Sequence, residues 1–131
     1  MIKKSRQREA ILKYLESRKD HPTAERVYTA VRDEFPNISL GTVYRNLALL
    51  AEMNEICRVT CEEDGSDHFD FDTSPHQHFF CKNCRAVIDV PLKNDESILG
   101  MLQQSMGVSI DTQKTIYYGT CGKCLQKINK K

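Results

Sequence analysis

Two Cys-x-x-Cys knuckles, Cys81-Lys82-Asn83-Cys84 and Cys121-Gly122-Lys123-Cys124, stand on either side of residues 85–120 in a chain of 131 residues. Each pair can turn both sulfurs toward one ion, and two pairs complete the tetrahedral thiolate shell that suits Zn2+. With all four positions filled by protein, nothing remains for a substrate, so the expected site is structural. Such a tie also stabilises a unit too small to hold itself together by apolar burial. The competing readings are a redox dithiol in one pair, or two incidental pairs.

The chain has room for one ordinary domain or two small ones. At 40% hydrophobic and 28% charged residues its composition is that of a soluble globular protein. The opening Met-Ile-Lys-Lys-Ser-Arg has basic residues with no apolar stretch behind them, which does not make a secretory signal. No apolar run approaches the ~18 residues of a membrane span. Six cysteines are therefore expected in a reducing, cytoplasmic setting, where paired thiols more often hold metal than form disulfides. Cys57 and Cys61 share a strand face with Val59 and read as buried free thiols.

A net charge of +1 seems to argue against a nucleic-acid partner, but it averages over opposite blocks. Residues 1–50 carry ten Lys/Arg against six Asp/Glu, residues 51–95 four against ten, and residues 96–131 five against two. A basic first third before an acidic middle suggests polyanion contact in one part and cation binding in the next.

Within the basic third, Ser5 to Arg18 reads as a helix with Ile11, Leu12 and Leu15 on one face. His21-Pro22-Thr23 breaks it, and Thr23 caps a second helix in which Val27, Tyr28, Val31 and Phe35 recur at helical spacing. Ser39 caps a third, with Val43, Leu47 and Leu50 as its buried seam. Three short helices joined by such turns fit a helix-turn-helix unit. Asn54 follows where a left-handed cap is expected. Ile56–Cys61 and His68–Asp72 then read as two strands of a wing, joined through Glu62–Ser66. Thr73-Ser74-Pro75 looks like a hinge, placing the domains at 1–72 and 73–131 with the hinge at about 69–76. In the second domain Ala86–Val90, Val108–Ile110 and Thr115–Tyr118 read as strands. Asn94 caps a helix carrying Ile98, Leu99, Leu102 and Met106 that Gly107 ends, and the Lys-rich end is a short helix or tail. The expected fold class is α+β: an N-terminal winged helix-turn-helix domain followed by a small α/β dimerisation domain with a structural zinc site.

A second ligand set precedes the first knuckle. Residues i and i+2 of an extended segment face the same way, so His76 and His78 can share one ion. Asp70 lies just upstream, and Asp89 sits on a strand able to pair nearby. Imidazoles with carboxylates form a harder set than thiolates and suit Fe(II) or Mn(II), though zinc also binds them. Solvated surface histidines are the competing reading. Spacing alone gives His21 no place in this cluster.

Taken together, His21-Pro22-Thr23-Ala24, Ser39-Leu40-Gly41-Thr42-Val43-Tyr44-Arg45-Asn46-Leu47, the His-x-His run before the first knuckle and the second knuckle resemble the ferric uptake regulator (Fur) family. These are dimeric, metal-sensing bacterial repressors, and the resemblance covers nearly the whole chain. It is strongest to the peroxide-sensing branch (PerR). The resemblance implies a regulatory Fe2+ or Mn2+ held by His21, Asp70, His76, His78 and Asp89, with Asp70 marking the subtype. It also implies that His21 and His76 are the oxidation-sensitive ligands, becoming 2-oxo-histidine with loss of metal and of DNA. The further metal site of many iron-sensing members maps to Pro75, Gln77, Glu96 and Gln113, of which only Glu96 readily binds metal, so that site is not expected. Lys4-Ser5-Arg6-Gln7-Arg8 stands at the family's Thr-Pro-Gln-Arg motif, so the customary additional N-terminal helix is not expected either.

On this reading the partners are double-stranded operator DNA and a second copy of the chain, with no membrane. The helix Ser39–Leu50 enters the major groove with Tyr44 and Arg45 nearest the bases, Ser39 and Thr42 near the phosphates, and Arg6 and Arg8 adding phosphate contacts. One alternative is a repressor of the same type that senses iron, manganese or zinc availability. A remote one is a zinc hydrolase, which needs an open zinc position and a catalytic Glu where Gln77 stands. The chain is therefore not expected to be an enzyme.

Overall fold

The computed structural model describes residues 5–74, 76–91 and 96–129. The expected cap Asn94 and the mapped position Pro75 lie outside them. The chain forms two compact units, Met1–Thr73 and Ser74–Lys131.

The first unit contains α1 (Arg6–Glu16), α2 (Ala24–Val31), α3 (Leu40–Glu52), β1 (Cys57–Cys61) and β2 (Ser66–Asp70). Each helix starts where a hydroxyl satisfies a free backbone N–H. Ser5 accepts from Arg8 at 3.2 Å, Thr23 from Arg26 at 3.4 Å and Ser39 from Thr42 at 3.0 Å. The apolar stripes then converge: Ile11 and Leu15, Val27 and Val31, and Val43, Leu47 and Leu50 pack with Ile38, Ile56 and Phe69 into one buried cluster.

The expected extension of α2 to Phe35 is corrected. The helix ends at Val31, and Phe35 follows in a turn whose N–H reaches the Val31 carbonyl at 2.9 Å. Pro36 disfavours helical geometry at the residue before it, while the turn still lays Phe35 against the core. After α3, Asn54 takes the left-handed conformation expected of it, with φ 59°.

β1 and β2 pair antiparallel, with Cys61 opposite Ser66 and Cys57 opposite Asp70. The return strand therefore runs over Ser66–Asp70, two residues earlier than the expected His68–Asp72. Gly65 at φ 72° closes the turn, its N–H 2.8 Å from the Cys61 carbonyl. The strand ends as the Asp70 side chain accepts the Asp72 N–H at 3.0 Å. Phe69 is buried in the helical core and shares its face of the hairpin with Asp67, Arg58 and Thr60.

The second unit contains β3 (Gln77–Cys81), β4 (Val87–Val90), α4 (Glu96–Met106), β5 (Ile116–Gly119) and α5 (Gly122–Asn129). The sheet order is β4-β3-β5, with β3 antiparallel to β4 and parallel to β5. Gly107, at φ 67°, ends α4 as expected. Val108–Ile110 is not the strand its alternation suggested. The Ile110 N–H donates to the Gln103 side-chain carbonyl at 3.0 Å, folding this stretch back on the end of α4. α4 buries none of its residues; Ile98, Met101, Leu102 and Met106 are exposed, Met101 by 68% and Met106 by 63%. No helix among the described residues is long and apolar enough to cross a membrane.

Candidate metal centres

The parallel register of β3 and β5 places Cys81 opposite Gly119, which brings the two knuckles together. Cys81 ends β3, and Cys84 lies in a turn closed by Arg85, which adopts φ 64°. Cys121 precedes α5 and Cys124 sits in its first turn. The four sulfurs all lie within 4.8 Å of one another, with Cys81–Cys124 and Cys84–Cys121 each at 3.8 Å. Four bonds of about 2.3 Å in a tetrahedron require sulfur separations of about 3.8 Å, so the cage has the dimensions that Zn2+ takes. A disulfide needs sulfurs about 2 Å apart, and none of the six cysteines is in a disulfide. The backbone N–H groups of Cys84 and Cys121 each donate to the Cys81 sulfur at 3.4 Å. The Cys84 N–H above all, against burial, brings the Cys81 thiol down to about 6, toward the thiolate a metal requires.

A second set of ligand atoms converges in the same unit. The β3–β4 register sets His78 opposite Asp89. One Asp89 carboxylate oxygen lies 3.0 Å from His76 Nε2 and 3.4 Å from His78 Nε2, and the two rings are 4.4 Å apart. His76 Nδ1 is 2.6 Å from the Ser74 carbonyl, to which it donates. That bond leaves Nε2 as the lone-pair nitrogen, the arrangement by which a ligating histidine is usually oriented. Two imidazoles and one carboxylate form a facial set of the kind that holds non-haem Fe(II).

In the first unit His21 and Asp70 form a buried pair, Nε2 to carboxylate oxygen 3.0 Å. β2 grips the His21 turn from three adjacent residues. His68 Nδ1 donates to the His21 carbonyl at 2.9 Å, the Phe69 N–H donates to the Pro22 carbonyl at 3.0 Å, and Asp70 meets the imidazole. His21 is held at φ 53°, a conformation uncommon for a residue with a side chain. His68 has no role expected from the sequence. Its period-2 match to Asp70 on one strand face was the available signal.

The family model of the ferric uptake regulator family matches residues 1–118. The chain belongs to that family. It is 36% identical over 123 residues to the peroxide operon regulator of Bacillus subtilis, covering 94% of this chain and 84% of that protein. It is 35% identical over 121 residues to a peroxide-responsive repressor of Staphylococcus aureus, covering 92% and 81%. Among solved structures, the Campylobacter jejuni peroxide stress regulator superposes with a TM-score of 0.75 at 28% identity, over 90% of this chain and 88% of that one. The expected resemblance to the peroxide-responsive branch and the α+β class with a winged helix-turn-helix first unit are both upheld. At the level of the family, the chain is a metal-dependent transcriptional regulator.

The helix expected to enter the major groove is α3. Ser39, besides capping it, donates to the Thr42 hydroxyl at 2.9 Å, and Thr42 accepts from Arg45 at 3.1 Å. These hydroxyls thus orient Arg45. Tyr44 is 42% exposed, and its hydroxyl is engaged by Asp67 of the wing at 2.7 Å. Arg6 and Arg8 lie in the first turn of α1.

Proposed function

We propose that the chain is a homodimeric, metal-dependent repressor that binds operator DNA and releases it after peroxide oxidises its ligand histidines. The observation that carries this reading is the division of the hard ligands. Three converge in residues 74–131 and two in residues 1–73, and neither group alone supplies the five or six positions that Fe(II) and Mn(II) favour. His21, Asp70, His76, His78 and Asp89 would together hold one regulatory ion, and such an ion would shift the population toward the arrangement of the DNA-binding unit that binds it most tightly. The four thiolates hold a structural Zn2+. The exposed Ile98, Met101, Leu102 and Met106 of α4 form an apolar stripe suited to a second copy. Thiols that hold metal rather than form disulfides support a reducing, cytoplasmic setting.

At the DNA, α3 enters the major groove with Tyr44 and Arg45 toward the bases, while Ser39, Thr42, Arg6 and Arg8 serve the phosphates. Doubling the basic first unit in a dimer supplies the phosphate contacts that dominate affinity. His21, Asp70, His76, His78 and Asp89 would hold Fe(II) where it could supply the reducing equivalents that cleave the peroxide O–O bond, with water as the other product, a capacity Mn(II) would lack. His21 and His76 are the side chains that take up oxygen, and as 2-oxo-histidine they no longer complete the ligand set.

The test compares Fe(II)-, Mn(II)- and Zn(II)-loaded protein on a duplex selected from a randomised pool, before and after H2O2. The expected result is loss of DNA binding with Fe(II) alone, together with one added oxygen on His21 or His76 by mass spectrometry. Unmodified histidines in treated Fe(II) protein rule out the peroxide mechanism. Binding that follows metal supply and ignores peroxide identifies an availability sensor instead.

A further inference from the structure

Asp67 belongs to neither metal centre, yet it is a wing residue bonded to the expected recognition helix. The β1–β2 register sets Thr60 directly opposite Asp67 and Arg58 opposite Phe69. This face of the hairpin meets α3 at Tyr44. The Tyr44 hydroxyl donates to one Asp67 oxygen at 2.7 Å, and the Thr60 hydroxyl donates to the other at 2.6 Å. The Arg58 guanidinium lies 6.0 Å from the Tyr44 ring centre and 5.9 Å from that of Phe69, over both rings. Tyr44 is thus fixed at its hydroxyl by Asp67 and beside its ring by Arg58, while the rest of the side chain is exposed.

We propose that Asp67 is a positioning residue for DNA recognition: by accepting the Tyr44 hydroxyl proton it sets the direction in which the recognition helix offers the Tyr44 ring to the bases. This rests on the repressor reading above. An exposed tyrosine loses conformational freedom whenever it must meet one base edge in one orientation, and a partner that holds it beforehand removes that cost from the specific complex. Non-specific binding is governed by phosphate contacts and takes no benefit from the orientation. The carboxylate also places a negative charge on the DNA side of the wing. Burial pushes Asp67 up, but the two hydroxyls and Arg58 outweigh it and hold the group below its ordinary range, while the same contact raises Tyr44. The donor is therefore the phenol and the acceptor an ionised carboxylate.

The experiment is a double-mutant cycle on the full-length, Mn(II)-loaded protein. Its probes are a duplex selected by the wild type from a randomised pool and a scrambled duplex of equal length. Asp67→Ala and Tyr44→Phe each lower the ratio of selected to scrambled affinity by about tenfold, the size of one good base contact. The double variant is no worse than either single one, because both break the same bond. Asp67→Asn keeps an acceptor for the phenol and restores the ratio. Asp67→Ala and Asp67→Asn both tighten binding to the scrambled duplex, whereas Tyr44→Phe does not. Thermal unfolding accompanies each measurement, and Asp67→Asn with Tyr44→Phe carry the test if Asp67→Ala fails to fold. A wild-type ratio in Asp67→Ala, additive losses in the double variant, or parallel weakening on both duplexes with a lowered melting temperature each overturn the proposal. A wild-type protein that enriches no sequence overturns the repressor reading, and the proposal with it.

Discussion

Residues 5–73 bury Ile11, Leu15, Val27, Val31, Val43, Leu47, Leu50 and Phe69 in one apolar cluster, whereas a buried cluster of residues 74–131 is made of Cys81, Cys121 and Cys124 with Phe79 against it. The first unit is held by ordinary side-chain packing between helices whose starts are capped. In the second, four sulfurs occupy a place where apolar side chains would otherwise meet, and α4 contributes no buried residue of its own. On the proposed reading such a unit relies on ions and on a partner surface, so the two halves should respond differently to loss of metal. The same contrast applies to the two ligand sets. The soft set is complete within one unit and has no position for a further ligand. The hard set is divided, which suits a regulatory ion that is gained and lost.

Cys121→Ser, or zinc removal by a strong chelator, has the largest expected effect. Structural zinc contributes on the order of 10 kcal/mol in small domains, more than the whole stability of an ordinary one. The expected outcome is loss of the β-sheet and α5 signals, with the helical signal of the first unit retained. Far-UV circular dichroism with zinc quantitation measures it. Loss of both units together would show that the first does not stand on its own core.

The contrast was partly legible in the sequence. The knuckles, the caps Thr23 and Ser39, the α3 seam and the left-handed Asn54 are local signals, and local physics set them. Errors arose where the outcome depends on distant pairing. Val108–Ile110 alternates like a strand, but with the Gln103 side chain available its backbone bonds there. Gln77–Cys81 is the central strand of its sheet although its Phe79-Phe80 run lacks clean alternation. His21 came to the site only through family resemblance. Its backbone is set by His68 and Phe69, far along the chain, which no spacing rule reaches. The Tyr44–Asp67 contact had no sequence signal at all.

Leu47→Ala probes the other side of the comparison. Leu47 is fully buried in the helical core, and truncation there costs about 2–5 kcal/mol. The expected variant melts earlier in its helical transition and keeps its full zinc content. Zinc loss in this variant would mean that the two units fail as one.

Asp89→Ala separates the two ligand sets. One Asp89 oxygen serves both His76 and His78, so its removal disables the hard set while leaving the thiolates intact. Mn(II) affinity should fall beyond the roughly 10- to 100-fold that loss of a residue merely supporting a ligand costs. Titration calorimetry measures it, with zinc content unchanged. An unaltered Mn(II) affinity would remove Asp89 from the regulatory set.

Ser39→Ala is the smallest change and the most selective. The Ser39 hydroxyl accepts the Thr42 N–H and donates to the Thr42 hydroxyl, which in turn holds Arg45. Loss of the cap costs about 1 kcal/mol, so the helical transition falls by a few degrees and neither metal content changes. Ser39→Asp keeps a cap acceptor, and its charge favours the positive end of α3, so it restores the melting temperature. It also sets a carboxylate where phosphate is expected, so it weakens binding to any duplex. Stability and DNA affinity then move in opposite directions from one side chain. A capping position with no part in the DNA face would instead let affinity follow stability in both variants.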